Sequence, residues 1–254
     1  LCKAGHNVHF LETSNSDKRY LFPKCIKSYF ISLPKNVTIA AKTLDLRFWT
    51  KKAGLKHLSE VFQMGDAALQ GLLKYRIFEM NKILNDTWDV VFADELFSMT
   101  SYGIALANAR KHKTPFVMFS TTALQNFFSW QQALARMPFL RPSFRFPIAE
   151  RQKYDISRFF DRMNTVVDET ITALSLKYRT EAFHIEGIKQ IGIKDFTFKT
   201  LWSNSVFNFQ EEIDTLGFPQ PLSSDVIQIG FHCRAYNPLP TDVRSFVEDP
   251  KSRG

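Results

Sequence analysis

The sequence predicts an α/β fold built on an open parallel sheet with helices on both faces. Three observations predict it. Residues 88–93, W-D-V-V-F-A, form a continuous apolar run of strand length, the pattern of a strand covered on both faces. A helical segment at 99–110 and a second apolar run at 115–119 follow, giving the strand, helix, strand order of a βαβ unit with a right-handed crossover. Finally, the 254 residues are 44% hydrophobic, enough for one sizeable core.

The remaining elements follow along the chain. Residues 1–6, L-C-K-A-G-H, read as the end of a helix, with Gly5 at the C′ position where a left-handed backbone is needed. Alternation over residues 8–11 reads as a strand, and residues 29–33 as a short second strand halted by Pro34. A long helical region spans about 48–84, with Val61, Met64, Ala68, Leu72 and Tyr75 at helical spacing. Between 120 and 154 the pattern is irregular, and Pro138, Pro142 and Pro147 exclude one long helix. A helix of about 155–183 comes next, then a short strand signal at 202–204 and a turn-rich stretch with Gly217, Pro219 and Pro221. The strand 226–229 ends at Gly230; a proline-rich extended stretch runs to Pro240, and a short helix begins at Asp242. A linker leading to the edge of the sequence predicts a further domain beyond it. The division expected is 1–230 as one domain and 231–254 as linker and the start of the next.

Composition narrows the function classes. The 25 Phe are a heavy aromatic load, and most are expected in the core, with a minority free to line an apolar pocket. The formal charge of +8 comes from scattered residues. The one tight cluster, Arg110-Lys111-His112-Lys113, falls at a helix end, where cations complement the dipole, so nucleic-acid binding is not expected. Cys2, Cys25 and Cys233 are far apart, with no Cys/His ligand spacing; no metal site is expected, and at most one internal disulfide. Asn36 and Asn85 open N-x-T triplets, glycosylation candidates in a secretory protein. No apolar run approaches the roughly 18 residues that cross a bilayer. The ten glycines include no G-x-G pair, so neither a dinucleotide fingerprint nor a phosphate loop is present, and no cofactor is expected.

Ordered motifs carry a family resemblance. The tail holds Ile229, Gly230, His232, Cys233, Pro238, Leu239, Pro240, Asp242, Phe246, Val247 and Glu248. It resembles the inter-domain linker of the animal UDP-glycosyltransferases, the UDP-glucuronosyltransferase family, in which an apolar strand and I-G-G precede a His-Cys pair, P-L-P, an acidic residue and F-V-E. Phe231 stands where the family has its second Gly. The start, L-C-K-A-G-H-N-V-H-F-L, resembles the family's L-x-x-R-G-H-x-V-x-x-L. Residues 88–120 resemble its D-x-x-x-x-D strand, helix and P-F-V-x-F-S strand. Asp155, Phe159, Arg162 or a neighbour, and Asn164 resemble its D then F-x-x-R-x-x-N, and 201–204 its L-x-x-N-S strand.

The resemblance implies the N-terminal, acceptor-binding Rossmann-like domain of a two-domain GT-B enzyme, lacking its first strand. Such enzymes transfer a hexosyl or glucuronosyl group from a UDP-sugar to an acceptor hydroxyl with inversion, using a His base oriented by an Asp. Asp94 matches that Asp. Read from the residues alone, Asp94 stands at the carboxyl end of a strand, where it serves either a site or the N-cap of the next helix. The family's base lies upstream of Leu1, and His6 belongs to the structural G-H turn. The acceptor pocket is expected from Phe97, Ser98 and Met99 after Asp94, and from Ser120, Thr121, Thr122, Asn126, Phe127 and Phe128. Partners implied are a small lipophilic acceptor, a UDP-sugar held by the second domain, a membrane reached through a later span, and a possible second copy. The place implied is the lumenal side of the endoplasmic reticulum. A non-catalytic module that binds lipophilic ligands is the alternative.

Overall fold

The computed structural model describes residues 1–14, 19–33, 57–96, 98–121, 126–132, 137–143, 154–211, 221, 223–230 and 240–249. Asn36, Phe97, Thr122, Cys233 and the stretch 231–239 lie outside them, as does the first part of the expected 48–84 helix.

The chain is α/β, with a four-stranded parallel sheet flanked by helices. After a 3-10 turn at Cys2–Ala4, Gly5 takes the left-handed backbone (φ 88°) expected of it. Strands β1 (Val8–Ser14) and β2 (Ile26–Ser32) pair in parallel, Val8 opposite Ile26. Helices α1 (His57–Tyr75) and α2 (Ile77–Asn85) follow, broken at Arg76. Next come β3 (Val91–Asp94), α3 (Met99–His112) and β4 (Phe116–Ser120), with β3 and β4 parallel as the βαβ reading requires. A helical excursion leads through α4 (Asn126–Gln131) and α5 (Phe159–Ser175), which runs on through a π turn to Phe183, to α6 (Glu186–Gln190) and α7 (Phe198–Asn204). Strands β5 (Phe207–Gln210) and β6 (Val226–Gln228) complete the order β3-β4-β5-β6, and α8 (Thr241–Glu248) follows.

Four expectations are corrected. The strands form two sheets, β1-β2 standing apart from the other four, although Ile31 of β2 packs into the same core as the helices and β3. Strand β3 is not covered on both faces: Ala93 is buried but Phe92 is 44% exposed, on a sheet face where Phe207 of β5 and Ile227 of β6 are exposed as well. Of the helical spacing expected in α1, Val61 and Leu72 are buried, together with Leu58, Phe62 and Leu69, but Tyr75 faces outward. Residues 202–204 are helical, not a strand. Thr197 caps α7 by accepting from the Thr200 N–H (3.0 Å), which commits Leu201 and Trp202 to the helix; the strand comes later, at Phe207.

The phenylalanine load is largely core. Phe62, Phe128, Phe198 and Trp202 form one aromatic cluster, with Phe128 stacked on Trp202 at 5.0 Å and Phe62 edge-on to Phe198 at 5.0 Å. Such aromatic pairs add roughly 0.5–1.5 kcal/mol each beyond the area they bury. This cluster joins α1, α4 and α7.

Candidate functional site

The site is the carboxyl edge of the four-stranded sheet, where open parallel sheets bind ligands. Asp94 closes β3 there, opposite Phe119 of β4. Its side chain keeps access to solvent, yet protein encloses it enough for burial to push its carboxyl above the ordinary value, against the backbone N–H groups of Leu96 and Glu95. Asp94 is not the cap of the following helix. Ser98 is, its Oγ accepting from the Ser101 N–H at 3.4 Å. The two neighbouring carboxyl groups part company: Glu95 is fully buried, as the alternation of side chains along a strand dictates. The Tyr102 hydroxyl donates to the Glu95 carbonyl; burial, then the charges of Glu95 and Asp94, holds that hydroxyl well above its ordinary pKa.

Next along the edge, Ser120 ends β4, buried, and its Oγ donates to Asn208 Oδ1 of β5 at 3.0 Å. Ser120 lies opposite Gln210 in the register, and Gln210 opposite Gln228 of β6. Asp94, Ser120, Gln210 and Gln228 thus mark the carboxyl ends of the four strands. Gln210 is fully buried, and neither polar atom of its carboxamide has a hydrogen-bond partner. A buried amide in that condition is an uncommon and costly feature in a folded protein. Sequence reading missed Asn208 and Gln210. The signal was the pair of amides alternating with Phe207 and Phe209 in a strand whose neighbours are apolar.

The expected acceptor residues divide into two groups. Ser98, Ser120 and Thr121 sit at or beside the carboxyl edge, with Thr121 exposed and Ser98 occupied as a cap. Met99, Phe127 and Phe128 are buried in the core, and Asn126 opens α4. His6 is exposed beside the Gly5 turn. His9 is edge-on to Trp88 (4.9 Å) and stacked on Tyr29 (5.7 Å); burial, then Lys27, lowers its pKa. His184 is partly buried with Nε2 unbonded, and burial lowers its pKa. Neither His is in the edge row.

Elsewhere, Asn85 ends α2 and is exposed. Cys2 and Cys25 form a disulfide. Among the described residues no cluster of three or more His, Cys, Asp or Glu could hold a metal, and no helix is long and apolar enough to cross a membrane. Compared with known proteins, the chain matches no family model, no curated protein and no solved structure.

Proposed function

We propose that this chain is the acceptor-binding half of a UDP-glycosyltransferase of the glucuronosyltransferase type, completed as a GT-B enzyme by a UDP-sugar domain. The observation that carries the reading is Asp94: a carboxylate at the carboxyl edge of a parallel sheet, reached by solvent and not needed as a helix cap. The motif order from the G-H turn to the linker supports it. The disulfide and the exposed Asn85 sequon support folding in an oxidising, lumenal compartment.

In this reading the acceptor hydroxyl gives its proton to a His base supplied upstream of Leu1, while its oxygen forms a bond to the anomeric carbon. The bond from that carbon to UDP breaks, UDP keeps the electron pair, and the configuration inverts. Asp94 holds the imidazole in the tautomer that accepts at the reacting side and stabilises the imidazolium that results.

The test uses the full-length protein that contains this chain, a phenolic acceptor, and UDP-glucuronate or UDP-glucose. Transfer to the phenol with release of UDP is expected from it. The 254-residue chain alone should bind the phenol, seen by quenching of tryptophan fluorescence, and turn none over. A full-length protein that transfers no sugar from either donor would overturn the class; turnover by the isolated chain would overturn the division of labour.

A further inference from the structure

The turn that follows Asp94 is tied to helix α3 by hydroxyl groups. Glu95 extends the β3 ladder one residue past Asp94, its N–H donating to the Phe119 carbonyl at 3.0 Å. One turn into α3, Tyr102 donates its hydroxyl to the Glu95 carbonyl. Beside it, the Ser101 hydroxyl donates to the Ser98 carbonyl at 2.9 Å and reaches the Asp94 carbonyl at 3.4 Å. The backbone at Asp94 and Glu95 is thus held by the neighbouring strand on one side and by the first turns of α3 on the other.

Packing alone does not ask for a hydroxyl at position 102. The Tyr102 ring is fully buried between Phe62 and Phe196, with centroids at 6.3 and 6.4 Å, among the buried Met99, Ile104, Ala105 and Leu106 of its own helix. A phenylalanine would fill that space, and a buried hydroxyl costs free energy unless it is bonded. The acceptor it finds is the carbonyl one residue past Asp94. The Asp94 carboxylate is itself reached by solvent, and it accepts from the N–H groups of Glu95 and Leu96 in this same turn. A carboxylate bonded to the N–H groups of a turn goes where the turn goes.

We propose, on the role given to Asp94 above, that Tyr102 is a positioning residue for the transfer reaction. By holding the Glu95 carbonyl from α3 it fixes the turn that carries the Asp94 carboxylate, and so the place and angle at which Asp94 meets the base. Tyr102 touches neither substrate nor base. Loss of its hydroxyl therefore lowers kcat and leaves KM, because reacting geometry is sensitive to displacements on the order of 1 Å and the acceptor is held elsewhere.

Tyr102→Phe keeps the ring and removes the hydroxyl. In the 254-residue chain, hydrogen exchange at the Glu95 and Leu96 amides should quicken about 10-fold or more, while unchanged protection of Phe116–Ser120 shows that the sheet still folds. In the full-length protein, kcat for transfer to a phenol should fall by on the order of 10-fold, with KM within about two-fold. A double-mutant cycle separates positioning from general loosening. In an Asp94→Asn background the same change should cost less than about two-fold, because the group it positions is already gone. Equal losses in the two backgrounds would overturn the proposal. So would full kcat in Tyr102→Phe, or exchange at Glu95 and Leu96 as slow as in the wild type. A wild-type full-length protein that transfers no sugar from either donor would end the reading of Asp94 and this role with it, whereas an active wild type beside an indifferent Tyr102→Phe would end this role alone.

Discussion

At the scale of single residues, Asp94 combines three properties. It ends a strand at the sheet's carboxyl edge, it caps nothing, and its carboxyl titrates above the ordinary value because burial disfavours the charge. In the full-length protein, Asp94→Asn keeps the shape, removes the charge, and presents an amide that can enforce the wrong imidazole tautomer. On the proposed reading the carboxylate acts on the base and not on the substrate, so turnover should fall by on the order of 10² or more, with acceptor affinity little changed. Steady-state kinetics on the folded variant checks it, and near wild-type turnover would return Asp94 to a packing role. The strand end itself was legible from W-D-V-V-F-A-D. That Ser98 rather than Asp94 caps the helix was not, since both are good capping residues and only the backbone path decides between them.

At the scale of elements, the contact of α6 with α1 shows how a buried carboxylate can be structural. Asp66 of α1 is 3% exposed, and its two oxygens accept from the N–H groups of Gly187 (2.8 Å) and Glu186 (3.2 Å) at the start of α6. The helices touch so closely that a Cβ on Gly187 would lie 2.8 Å from Leu69 Cγ, which explains the glycine. Burial raises the Asp66 carboxyl above its ordinary value, against these hydrogen bonds and that of Gln70. With a raised folded-state value, the native chain binds more protons than the unfolded one just above the ordinary aspartate range. This group's contribution to stability is thus greatest at low pH and declines as pH rises through that window. Asp66→Asn should retain an acceptor and remove that slope. Asp66→Ala should cost about 1–3 kcal/mol for each N–H left without a partner. Urea denaturation across the window measures both, and a slope that survives in the Asn variant would assign it to another group. None of this contact was legible: Asp66 sits mid-helix like any solvated aspartate, and its partners lie 120 and 121 residues away. Strands β3 and β4 were legible because each is a short apolar run between polar punctuation. Residues 202–204 misled because an aromatic residue beside a buried Leu suits a strand as well as a helix, and the Thr197 cap five residues before Trp202 decided it.

At the scale of the whole molecule, the division into two sheets raises the question of what holds the smaller one. A two-stranded sheet is marginal by itself. The β1-β2 pair has modest anchors: Ile31 is buried in the common core, His9 lies edge-on to Trp88, and Arg76 reaches Ser32 at 3.4 Å. The disulfide supplies the rest. Cys2 precedes β1 and Cys25 precedes β2, so the bond ties the amino ends of two parallel strands together and closes the crossover between them. With a separation of 23 residues, such a link removes unfolded-state freedom worth about 3 kcal/mol. Replacing both cysteines by Ser should therefore loosen β1 and β2 and leave the four-stranded sheet in place. Hydrogen exchange is the measurement: amides of Val8–Ser14 and Ile26–Ser32 should lose protection, and those of Phe116–Ser120 should keep it. Equal loss in both sheets would mean that they open as one cooperative unit through the shared core. Unchanged protection in β1 and β2 would mean that packing on Ile31 and Trp88 suffices without the covalent tie.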